Sequence, residues 1–82
     1  MLLNDLPNGA HAVVTGLGAR AGVDPAPLRR LGELGFIAGE PVQLLRRGPG
    51  GREPLAVLIG ETMFALRALE AQCIQVSTDP RS

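Results

Sequence analysis

Eleven glycines and seven prolines punctuate a chain of only 82 residues, and that density limits the fold more than any other feature. A long helix is disfavoured throughout, because an interior proline removes a backbone donor and an interior glycine costs about 1 kcal/mol relative to alanine. What remains open is a set of short strands joined by tight turns. The length supports one small hydrophobic core and no second. Tryptophan and tyrosine are absent and phenylalanine occurs only at Phe36 and Phe64, so that core must be mainly aliphatic.

The local pattern fills in the order of elements. Leu3 and Leu6 precede a Pro7-Asn8-Gly9 turn, and His11 to Leu17, with Val13, Val14 and Thr15, predict a first strand. Asp24 is a good helix N-cap and Pro25 suits the first helical position. Leu28, Leu31 and Leu34 then mark one face at helical spacing. Gly35 falls where a helix ends in a left-handed residue, with Phe36 placed to pack back on Leu31. Gly32 within this helix suggests close approach to a strand. Val42 to Arg47 and Leu55 to Ile59 predict a hairpin around the loop Gly48 to Gly51.

Thr62 to Arg67 is open to two assignments. One is a strand with Met63 and Ala65 on one face and Phe64 and Leu66 on the other. The other is a helix from Thr62 to Gln72, which alanine and leucine content permits. With the strand, Ala68 to Gln72 is a single helical turn, and Ile74 and Val76 alternate in a last strand that carries a half-buried Cys73. The sum is a small, strongly bent antiparallel barrel with one inserted helix. Leu55 to Ile59 is apolar on both faces, so its outer face requires a cover: the helix, a second copy or a partner.

Several functions are disfavoured by inventory. Eight arginines balance eight acidic residues and lysine is absent, so no global field holds a nucleic-acid backbone, and there is no aromatic platform for bases. One histidine, one cysteine and two serines leave no defensible nucleophile, base and orienter, so an enzyme is not expected. The segment GPGGRE lacks the ending of a phosphate-binding loop. Neither a secretory leader nor an apolar run of membrane-spanning length is present, and a lone cysteine suits a reducing compartment, so the expectation is a cytoplasmic domain without membrane insertion. A zinc centre wants about four ligands, and His11 and Cys73 are the only strong ones. Metal at His11 would therefore be weak or incidental and shared between copies, with no cofactor required. The simpler alternative is a solvent-facing histidine at the start of a strand.

The segments LRRLGELGFIAGEPVQLL (28–45) and PLAVLIGETMFALRALEAQCIQV (54–76), with Leu3, Leu6 and Gly9 before them, are similar in order and spacing to the FeoA family, small cytoplasmic proteins that accompany the bacterial ferrous iron transporter. The resemblance implies a mainly β fold, a small SH3-like β-barrel with one short inserted α-helix. It makes 62–67 a strand, and sets a single domain over 1–78 with a polar tail at 79–82. It also implies an accessory role, binding or regulating the transporter FeoB, whose cytosolic portion is a GTPase. A similar domain closes metal-dependent repressors, so the alternative is a metal-responsive module using His11, with zinc or ferrous ion linked to oligomer formation. A stand-alone accessory is the expectation, since no DNA-binding segment precedes the domain in this sequence.

Arginines supply the polar candidates for that contact: Arg29 and Arg30 on the helix, and Arg46, Arg47 and Arg52 around the hairpin tip. Their planar forks hold carboxylates or phosphates bidentately. The competing role is a solvated face, with Arg29 and Glu33 as a helical pair. Leu45, Leu58 and Phe64, where exposed, supply an apolar patch for self-association or for docking on the transporter's cytosolic GTPase portion or membrane region.

Overall fold

The computed structural model describes residues 1–18 and 26–78. Five strands, β1 (His11–Leu17), β2 (Pro41–Gly48), β3 (Arg52–Ile59), β4 (Thr62–Leu66) and β5 (Ile74–Ser77), accompany two helices, α1 (Ala26–Leu34) and α2 (Ala68–Ala71). Single 3-10 turns lie at Leu3–Asp5 and Pro49–Gly51. All pairings are antiparallel, in the order β4-β3-β2-β1-β5. Thr62 to Leu66 is thus a strand, and the helical alternative fails because each of its five residues pairs with β3. Both hairpin strands run beyond their predicted ends. The loop between them shrinks to Pro49–Gly51.

Sharing of β1 gives the sheet its bend. His11 to Val13 pair with β2, whereas Val13 to Leu17 pair with β5 across a register shift between Val14 and Gly16. A bulge of this kind increases local twist and turns the strand. The sheet coils into a partly open barrel around Val14, Leu44, Leu55, Val57, Leu66 and Ile74, all buried. Leu3 and Leu6 of the first turn plug one end and are also buried. That turn covers β5 as well: Leu2 bridges Gln75, and the Val76 N–H donates to the Met1 carbonyl at 2.8 Å.

Helix α1 ends as its sequence predicts. Gly35 has φ +114°, the Gly35 N–H donates to the Gly32 carbonyl, and the Phe36 N–H donates to the Leu31 carbonyl, each at 3.1 Å. This pair of bonds defines a Schellman motif. Leu31 and Phe36 are both fully buried, while Leu28 and Leu34 are half-buried against the same core. The expected start at Asp24 and Pro25 lies outside the described residues, as does the tail 79–82. Cys73 departs from expectation: it is fully buried and sits in the turn before β5, with its sulfur 3.4 Å from the Leu69 carbonyl. A carboxylate serves each of the first α2 amides, with the Ala68 N–H donating to Glu53 at 2.6 Å and the Arg67 N–H to Glu70 at 2.8 Å.

Gly32 does face a strand, but loosely. A methyl group added there would meet Leu17 Cδ1 at 3.9 Å, an ordinary van der Waals distance. Gly32→Ala should therefore stabilise the domain by up to about 1 kcal/mol through helix propensity, read as a higher urea midpoint at unchanged slope. A lower midpoint would mean that α1 packs more tightly on β1 than this spacing indicates.

Candidate partner-binding surface

Strand alternation sorts the hairpin into an inner and an outer face. Leu55, Val57 and Ile59 of β3 are buried, so Ala56 and Leu58 point outward. Register carries that assignment across the sheet. Leu58 lies opposite Gln43 and Met63, and Gln43 lies opposite His11, giving an outer row His11-Gln43-Leu58-Met63. Beside it runs a second row, Arg46-Ala56-Ala65. Outward residues of β3 and β4 in both rows are apolar, and Met63 is 64% exposed. A hollow of about 480 Å³ between Arg46, Pro49, Pro54 and Ala56 opens at one end of this face, and a smaller one of about 180 Å³ lies beside His11 and Leu58.

The two adjacent arginines of β2 part company at a bulge. Leu44 pairs with Val57 but Arg46 pairs with Ala56, so Leu45 is an extra residue and the alternation resets. Arg46 thereby joins the outer face. Arg47 pairs with buried Leu55 on the inner side, where its guanidinium donates to Asn4 Oδ1 at 3.1 Å, the Asn4 carbonyl at 2.6 Å and the Leu6 carbonyl at 2.9 Å. Expected as a partner contact, Arg47 is spent inside the molecule.

Other candidates sort by the same geometry. Phe64 shares the inner side of β4 with Leu66 and packs on Phe36 with ring centroids 6.0 Å apart at 51°, so it belongs to the core rather than to an outer patch. Leu58 is half-buried on the outer face and Leu45 is half-buried at the bulge. Arg29, Arg30, Arg46 and Arg52 are exposed. Among the described residues their guanidinium groups make no hydrogen bond or ion pair, and the Arg29-Glu33 pair of the competing solvated-face role does not close. The geometry brings Arg46 and Leu58 onto one surface, with Arg29 and Arg30 apart on α1. Met63, Ala56 and Ala65 are the apolar outer-face residues absent from the predicted contact set. The two-residue turn Gly60-Glu61 places Met63 opposite Leu58, and following that phase would have selected Met63 in place of Phe64.

This architecture is a known one. A FeoA domain model matches residues 1–78. The chain belongs to the FeoA family. FeoA of Stenotrophomonas maltophilia, a procaryotic SH3 domain protein solved in complex with zinc, is 45% identical with a TM-score of 0.83, over 94% of this chain and 89% of that one. FeoA of Chlorobium tepidum is 33% identical with a TM-score of 0.83, over 100% of this chain and 73% of that one. A manganese-dependent transcriptional repressor shares the fold alone, at 22% identity and a TM-score of 0.77, over 95% of this chain and 41% of the repressor. No curated protein sequence matches at a significant level. The mainly β, SH3-like fold is thus the FeoA fold, and the family is linked to ferrous iron transport.

Among the described residues of this FeoA chain the donor set does not fit a resident metal. Among the described residues no three His, Cys, Asp or Glu side chains come together, Cys73 is buried, and His11 is exposed at the end of the outer row. One imidazole falls well short of a closed four-ligand site. No helix among the described residues is long and apolar enough to cross a membrane.

Because Arg47 serves three part-buried acceptors, Arg47→Met should lower stability by about 2 kcal/mol, in the range for bonds to a charged donor. Arg47→Lys should recover only part, since an ammonium lacks the planar fork. Urea unfolding of both variants checks this; wild-type stability in Arg47→Met would show that the first turn is held by Leu3 and Leu6 alone.

Proposed function

We propose that this FeoA protein is a non-enzymatic cytoplasmic accessory of bacterial ferrous iron uptake that docks on a FeoB-type transporter and modulates its cytosolic GTPase or its assembly. The supporting observation is the outer face of β2, β3 and β4: Ala56, Leu58, Met63 and Ala65 form an uncharged strip with the free guanidinium of Arg46 at its corner. Apolar contact at the centre with arginine at the rim is the composition of a recognition surface. The S. maltophilia relative has been put forward as an activating factor of ferrous iron transport, which agrees with this role. Leu45 at the bulge beside Arg46 extends the contact, whereas Arg52 lines a separate hollow with Arg47, Glu53 and Ala68. Arg29 and Arg30, on α1, form a separate cationic site.

A second reading draws on the zinc complex of that relative and on the exposure of His11. Two copies pooling His11 and carboxylates would couple divalent metal, zinc or ferrous ion, to self-association. Stoichiometric metal uptake with a matching increase in mass would support it.

Isothermal titration of this protein into the cytosolic domain of its own organism's FeoB-type transporter, with and without a nonhydrolysable GTP analogue, tests the first reading. Saturable one-to-one heat is expected. Arg46→Glu and Met63→Glu should each weaken it at least about tenfold, or about 1.4 kcal/mol, while leaving the unfolding midpoint near wild type. Full affinity in both variants would reject the outer face as the contact.

A further inference from the structure

The two edges of the sheet differ. At β5 the first turn bridges Gln75 and accepts the Val76 amide, so that edge is covered. At β4 nothing among the described residues pairs with the outward main chain. Gly60, with φ +59°, opens a two-residue turn that makes Ile59 and Thr62 a hydrogen-bonded pair. Alternation then gives Phe64 and Leu66 to β3 and directs the N–H and C=O groups of Met63 and Ala65 away from the sheet. The β3-β4 ladder runs over five pairs without a bulge. Thr62 to Leu66 also carries no lysine, proline or charge, the devices that ordinarily blunt an edge.

Beside this edge lies a groove of about 320 Å³ between β4, α1 and α2. Leu34 and Phe64 form its apolar wall, and Arg30, Arg67 and Glu70 its polar one. Arg30 and Arg67 are exposed with unengaged guanidinium groups, whereas Glu70 already accepts the Arg67 amide. The groove therefore has one more cation than anion.

We propose that the β4 edge captures an extended acidic segment of a partner protein as a sixth, edge-added strand, with main-chain bonds to Met63 and Ala65. Its apolar side chains would enter between Leu34 and Phe64, and its carboxylates would meet Arg30 and Arg67. Strand addition of this kind takes affinity from the main chain and specificity from alternate side chains. A second copy is the poorer occupant, because β4-β4 pairing brings the Arg30 and Arg67 cations of both copies to one seam. The site is distinct from the outer face and stands whether or not that face docks on the transporter.

The test is titration of the 15N-labelled full chain with an end-blocked peptide alternating glutamate and valine, and with its lysine counterpart. Saturable amide shifts centred on Met63 and Ala65 are expected, with the glutamate peptide bound at least about tenfold more tightly than the lysine peptide. Ala65→Pro removes an outward N–H that β3 does not use, a position where an edge strand tolerates proline, and should abolish binding. The double variant Arg30→Glu, Arg67→Glu, which leaves the β4 main chain intact, should reverse the peptide preference. Gln43→Ala, on the outer face of β2 with β3 between it and β4, should leave peptide affinity within about twofold. Equal response to the two peptides, shifts remote from β4, or β4 protection that grows with protein concentration in the absence of peptide would each overturn the proposal.

Discussion

One extra residue in β2 sets what each side of this small barrel presents. Strand side chains alternate strictly, so without the bulge at Leu45 the arginine after Leu44 on the same face would be Arg46, pointed at an aliphatic core. Insertion of Leu45 sends Arg46 to the outer surface and swings Arg47 inward, at the open end of the barrel rather than into its centre. There three acceptors from Asn4 and Leu6 satisfy its guanidinium. That fork anchors the first turn, the first turn covers β5, and the opposite edge at β4 is left unpaired among the described residues. Among the described residues the core holds no buried polar side chain, and the inward Arg47 stays half-buried at the rim.

Much of this was legible in the sequence. The strand from His11 to Leu17, the helix stop at Gly35-Phe36 and the hairpin each carry a local physical signature, respectively β-branched residues, a positive-φ glycine and a glycine-rich turn, whereas the strand at 62–66 and the one-turn helix after it followed only from the family resemblance. A β-bulge has no such signature. Arg46 and Arg47 look equivalent in a string of letters, and only cross-strand register divides them into a surface contact and an internal fork. The same phase decides between Met63 and Phe64. Hydrophobicity favours phenylalanine as the anchor of a patch, yet the two-residue turn at Gly60-Glu61 assigns it to the inner face beside Phe36. Cys73 lies one residue before the start of β5, enough to put it in a sealed turn and not in the ladder.

The FeoA family to which the chain belongs is linked to ferrous iron transport, while the chain's own residues bear on how it acts. Metal chemistry has little to work with here: one exposed imidazole, a buried thiol, and carboxylates such as Glu53 and Glu70 already engaged with α2 amides. Surfaces are better provided. The outer face offers uncharged aliphatic area with a guanidinium at its corner, and the β4 edge offers main-chain donors and acceptors beside two more. Both arise from the same coiled sheet, and they share β4 without sharing the atoms each would use.

The most direct measurement is a map of which amides of the 15N-labelled protein respond when the transporter's cytosolic domain is added. Perturbation and slowed exchange concentrated at Arg46, Ala56, Leu58 and Met63 are the predicted result. A response confined to β5 and the first turn, or no response at all, would contradict docking through the outer face.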